Sequence, residues 1–256
     1  MSSIKKTLIF HIFLTGLLFS QSTYIPDDNF EQALIDQGYD DVLDDYVPTS
    51  NISNVNEIYI DNLDIYDLTG IEDFVELEIL SATDNQLTSV DLSTNALLKN
   101  IHLSRNNFTS IDLSNNIDLE ILFIAQNDLT SIDISANTAL KLLGLCDNPL
   151  MNINVDNNIL LETLELRRTQ LTSINLENNS ALLYLYISEN QLSSINLSAN
   201  TNLEILRIND NSLTTIDVSQ NPNLTEINLA SNQLTSLDLT SNVNLAEIYC
   251  QINAIT

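Results

Sequence analysis

Few side chains in this sequence are equipped for chemistry, and those few recur at a fixed spacing. Beyond residue 22 the bases are Lys99, Arg105, Lys141, Arg167, Arg168 and Arg207. Arg167, Tyr184, Tyr186 and Arg207 fall on adjoining rows once the chain is wound at 21 residues per turn, and Phe123 and Tyr249 lie on the row of Tyr186. Tyrosine and arginine bury much area and also hydrogen-bond, so these six side chains form a candidate ligand patch. The plainer reading is a set of surface groups that pair with Glu165, Glu189 and Glu204. A second row holds Asp91, Asp112 and Asp133. Stacked carboxylates suit hard divalent cations. The glycine-rich turns of cation-binding solenoids are missing, however, and the nearby pairs Thr88-Ser89 and Thr130-Ser131 offer hydroxyls, which favours local hydrogen bonding.

Other chemistries find little support. His102 stands near Ser81 and Ser104, but serine is everywhere in the chain, so its proximity carries almost no information, and no activated-nucleophile motif is present. Gly16, Gly38, Gly70 and Gly144 are too scattered to cradle a phosphate. One usable histidine and two distant cysteines do not make a zinc site. The expectation is a non-enzymatic protein with no cofactor and no metal.

The spacing itself describes the elements that must hold these residues. Leucines at 77, 98, 119, 140, 161, 182, 203, 224 and 245 open units of 21 residues with no insertion between them. Each reads close to LxxLxLxxNxLTSIDLSxNxx. Eight complete units span 77–244, and a ninth, incomplete unit begins at Leu245. Apolar alternation in LxLxx marks a short strand with one buried face, and a second alternation, IDL or INV, follows ten residues on. The pattern therefore predicts a repeat solenoid with two ladders of short parallel strands, about 4.8 Å per step. Asparagine recurs twice per unit, as at 106, 116, 127 and 137, with Thr169 as the one exception. An inward-turned asparagine at each corner can bond backbone groups left unpaired by the bend. Cys146 and Cys250 fall about five coils apart, on the order of 24 Å, which excludes a disulfide between them.

These motifs identify the chain as resembling the leucine-rich repeat family over about residues 55–256. The 21-residue unit is similar to a bacterial subclass, and the segment TYIPDDNFEQALIDQGYDDVLDDYV resembles the N-terminal cap of secreted Bacteroidetes-type members. The resemblance implies that the outward strand positions read a ligand. Residues 55–76 form a 22-residue opening unit. Before it, residues 23–54 make a cap containing a helix over roughly 28–37, started by Asp27 or Asp28, ended by Gly38, and turning Phe30, Ala33 and Leu34 onto the first coil.

Residues 1–22 read as a secretory signal. Lys5 and Lys6 precede an apolar stretch from Leu8 to Phe19, and Ser20 and Ser22 suit the cleavage site. No later apolar run is long enough to span a membrane. The chain carries 35 Asp and Glu against 8 Lys and Arg, a net charge of −27, and loss of the signal makes it more negative. That balance argues against nucleic acid as a partner. The function expected is recognition of a protein or glycan on the strand face, in a protein secreted or held at the bacterial outer surface. A structural or adhesive spacer is the alternative.

Overall fold

The computed structural model describes residues 21–255, so the signal segment lies almost wholly outside the described residues. The chain winds as a stack of coils built on one parallel sheet. Its strands are β3 (Glu57–Tyr59), β4 (Ile79–Ser81), β5 (Asn100–His102), β6 (Ile121–Phe123), β7 (Leu142–Gly144), β8 (Thr163–Glu165), β9 (Tyr184–Tyr186), β10 (Ile205–Arg207), β11 (Glu226–Asn228) and β12 (Glu247–Tyr249) in the count that also includes β1 (Ser22–Tyr24) and β2 (Tyr46–Pro48). The ten coil strands lie in sequence order and in strict register, so that Phe123 sits beside Gly144, Glu165 beside Tyr186, and Tyr186 beside Arg207.

The repeat's leucine positions explain the winding. In the eight units that open at Leu77 through Leu224, the first leucine, the middle of the strand, the residue two beyond it and the apolar residue after the corner asparagine are all buried, as in Leu119, Leu122, Ile124 and Leu129, whereas Ile248 in the middle of β12 is exposed. Each such group turns inward at a fixed place in the coil, so stacking coils makes one continuous apolar column. The bend after each strand needs a left-handed residue, and Asp84, Arg105, Gln126, Asp147, Arg168, Glu189, Asp210 and Ser231 all take φ between 54° and 60°. Their backbone N–H groups still bond the next coil, as in Arg105 N–H to Ala125 O at 2.8 Å.

The second alternation does not form the expected second ladder. Among the described residues the solenoid has a single sheet. The reason lies in the aspartates. Asp91 accepts the N–H of Ser93 at 2.9 Å, Asp112 that of Ser114 and Asp133 that of Ser135, each at the same distance. Asn154 and Asn196 do the same for Asp156 and Ser198. These Asx turns commit the backbone to its own bend and take N–H groups that a ladder would need. The hydroxyl partners are the serines that follow, not the Thr-Ser pairs that precede. Ser93, Ser114 and Ser135 hold the three carboxyls below the usual range through hydroxyl and N–H donation. Asparagine substitutes freely here because it presents the same acceptor.

The two asparagine columns do different work. In the column after the strand, Asn127 Nδ2 donates to Leu103 O at 3.1 Å and Ile124 O at 3.2 Å, while its Oδ1 accepts Phe108 N–H at 3.0 Å. In the other column, Asn137 Nδ2 donates to Leu113 O at 3.0 Å and Asn116 O at 2.8 Å, and its Oδ1 accepts nothing. Thr169, the exception, bonds Leu166 O through its hydroxyl at 2.8 Å. It has no amide to serve the coil before, where Pro149 also lacks an N–H. Leu150 N–H turns to Asn148 O instead, and Met151 goes left-handed with φ 61°.

The N-terminal segment is built around one helix. Helix α1 covers Asp28–Asp36, with Phe30, Ala33 and Leu34 buried and Gly38 closing it at φ 82°. Asp27 is the N-cap: its Oδ1 accepts Asn29 N–H and Phe30 N–H at 2.9 and 3.0 Å, and its Oδ2 accepts Tyr66 N–H and Asp67 N–H of the first coil. Fully buried Glu31 accepts the N–H groups of Asp44, Asp45 and Tyr46, so the acidic loop is tied to the helix. The antiparallel pair β1–β2 and the one-turn helix α2 (Thr49–Ile52) complete the cap; neither has an apolar period long enough to be read from sequence.

Candidate functional site

Outward strand positions form three columns on the sheet face. The central column runs Ser81, His102, Phe123, Gly144, Glu165, Tyr186, Arg207, Asn228 and Tyr249. Its members lie in adjacent, in-register strands. The His102 ring stacks on Phe123 with centroids 5.2 Å apart. The Phe123 ring in turn lies over Gly144, where an added Cβ would stand 2.5 Å from its Cδ1. This glycine is thus needed for space, not for backbone conformation. Burial lowers the His102 pKa, so the ring is neutral at neutral pH.

Farther along, the Arg207 guanidinium sits 5.4 Å above the Tyr186 ring, within cation–π range. Arg207 also bonds Glu226 twice, at 2.6 and 3.1 Å. Arg167 and Arg168 converge on Glu189, with Arg168 Nε 2.5 Å from Oε2, and the Glu189 carboxyl is held below its usual range, first by Arg168. Lys99 pairs with Glu78 at 2.7 Å, Lys141 with Glu120 at 2.6 Å, and Arg105 reaches Asp84 at 3.8 Å. Every base among the described residues therefore faces an acid of a neighbouring coil. Most of these side chains are about half exposed, so each pair adds little stability. What they fix is side-chain direction.

The six patch residues divide accordingly. Arg167, Arg207 and Tyr249 border one recess of about 410 Å³, together with Glu189, Glu226 and Glu247. Tyr186 adjoins it through Arg207. Tyr184 lies on the outer column, its hydroxyl 3.3 Å from Glu204. Phe123 stands apart, across Gly144 and Glu165. Sequence spacing singled out Glu165, Glu189 and Glu204 as acid partners; Glu189 holds Arg167 and Arg168, the Glu204 carboxylate meets only the Tyr184 hydroxyl among the described residues, and Glu226 rather than Glu165 holds Arg207. The contact is diagonal, from the central column to the outer column of the next coil, and depends on a rotamer that spacing does not specify.

Both cysteines are free thiols, Cys146 after β7 and Cys250 after β12. Burial pushes the Cys146 thiol up, so it stays protonated at neutral pH. Iodoacetamide at pH 8 is expected to label Cys146 slowly in the folded protein and readily in urea, read by peptide mass spectrometry. Equal rates would contradict its half-buried setting. No group of three or more His, Cys, Asp or Glu that could hold a metal stands among the described residues. No helix among them is long and apolar enough to cross a membrane.

Coil length, single parallel sheet, asparagine corners and helical cap define a leucine-rich repeat solenoid. No family model matches the chain, and neither does a curated protein. Solved structures do. The functional domain of InlJ from Listeria monocytogenes, which includes a cysteine ladder, is 29% identical over 93% of this chain and 54% of its own, with TM-score 0.88. A leucine-rich repeat protein of Leptospira interrogans is 22% identical over 81% of this chain and 63% of its own, with TM-score 0.68. Toll in the Toll–Spätzle complex of Drosophila is 20% identical over 80% of this chain and 31% of its own, with TM-score 0.67. The chain thus has the leucine-rich repeat fold, and it spans little more than half the length of the InlJ domain.

Proposed function

We propose that the chain is a non-enzymatic recognition module, secreted or held at a bacterial surface, that binds a protein or glycan partner across its strand face. The observation that carries this reading is the central column. From His102 to Tyr249 it presents rings, a carboxylate and a guanidinium, interrupted by Gly144 and Asn228, while the buried positions stay leucine-like. Ion pairs hold the arginines in place beforehand, so less side-chain entropy is lost when a ligand arrives. Toll, of the same fold, occurs in a complex with Spätzle, which supports a protein partner for a solenoid of this kind. The full internal pairing of the bases favours a second reading, an adhesive or structural spacer.

A panel of surface proteins and glycans, presented to the protein and to an Arg167→Ala, Tyr186→Ala, Arg207→Ala variant, tests this. Recognition on the strand face predicts at least about a thirtyfold loss of affinity in the variant, roughly 2 kcal/mol, with circular dichroism unchanged. Equal binding by both moves the site elsewhere. Binding by neither leaves the spacer.

A further inference from the structure

Along the central column, one side chain lacks a complement. His102 has Phe123, Phe123 has the open backbone of Gly144, and Tyr186 has Arg207. Glu165 lies between Gly144 and Tyr186, in register with both, and is half-buried. Its carboxylate joins no ion pair among the described residues. Arg167, two residues on, turns to Glu189, and Arg207 turns to Glu226. Burial pushes the Glu165 carboxyl up, the mark of a charge that has lost water and gained no cation.

We propose that Glu165 seats a lysine or arginine side chain presented by a protein partner, with the rings of Phe123 and Tyr186 on either side. The inference rests on the reading of the strand face as a recognition surface and names the partner's chemistry there. The position suits a cation in two ways: an unneutralised carboxylate, and rings close by that attract positive charge, Tyr186 in the next row and Phe123 two rows away where it lies over Gly144. A net charge of −27 draws basic partners toward the face. The neighbouring strands β6 and β7 carry Ile121, Phe123, Leu142 and Gly144 outward or at the rim, all uncharged. A segment with one basic residue beside apolar ones satisfies both halves, and a polypeptide supplies that combination where a simple polyamine does not.

The test uses the full chain and three small probes: N-acetyl-arginine amide, N-acetyl-lysine amide and uncharged N-acetyl-norleucine amide. NMR follows the Glu165 carboxyl carbon and the rings of Phe123 and Tyr186. The two cations are expected to shift these signals saturably and norleucine amide to leave the carboxyl unmoved. Glu165→Gln weakens the cations by at least about fivefold, and Glu165→Asp retains part of the binding. Glu165→Gln also folds at least as stably as the parent, because it removes a poorly solvated charge. Equal cation binding by parent and Glu165→Gln, or shifts that appear at Asp91, Asp112 and Asp133 instead, overturns the proposal. A partner that binds the Arg167, Tyr186, Arg207 variant as tightly as the parent, while the cations still bind at Glu165, overturns the strand-face reading alone.

Discussion

Alanine at Asp27 is expected to lower the unfolding free energy by about 4 kcal/mol, from a lost helix cap and two further stranded donors together. The carboxylate is fully buried and accepts four backbone N–H groups. Two belong to the first turn of α1 and two to the opening coil. Removing it uncaps the helix and also unties the cap from the solenoid. Urea unfolding at pH 7 measures the effect. Asp27→Asn should fall between parent and alanine, because its amide keeps one acceptor oxygen and turns a donor toward the other pair. A loss under about 1 kcal/mol for alanine would mean that water replaces the carboxylate, contrary to its burial.

Alanine at Asn127 comes next, at about 3 kcal/mol, and should exceed alanine at Asn137, at about 1 kcal/mol. Both side chains are buried; Asn127 bonds three backbone carbonyls and Asn137 two. The difference is what remains after removal. Phe108 N–H has Asn127 Oδ1 as its acceptor and is left with none. Leu113 O and Asn116 O, by contrast, still receive Asn116 N–H and Leu119 N–H. Asn137 also carries its own unpartnered Oδ1, a cost that the substitution removes. Matched urea melts of the two variants decide the ranking. Equal losses would show that the two columns are energetically alike.

The sequence made the coil length, the buried leucines and the helix start legible because each rests on a local rule: apolar period, corner asparagine, acidic N-cap. The single sheet was less legible. The IDL segment has strand-like alternation, but Asp91 and its equivalents bind the N–H two residues on, and a turn outcompetes a ladder there. At the candidate site the column membership of Phe123, Tyr186, Arg207 and Tyr249 could be read from spacing. The pairing of Arg207 with Glu226 and the isolation of Glu165 could not, since both depend on which way long side chains lean across coils.

The corner amides reach in one direction only. Asn116, Asn137, Asn158 and Asn179 each donate to carbonyls 24 and 21 residues earlier, in the preceding turn of the chain. Each coil thus completes the one already made, and the first complete surface offered to it is the cap around α1. A nascent chain leaving the ribosome presents these parts in that order. The molecule therefore carries a directional seam: each turn closes carbonyls of the turn before it, in the same order in which the chain is synthesised.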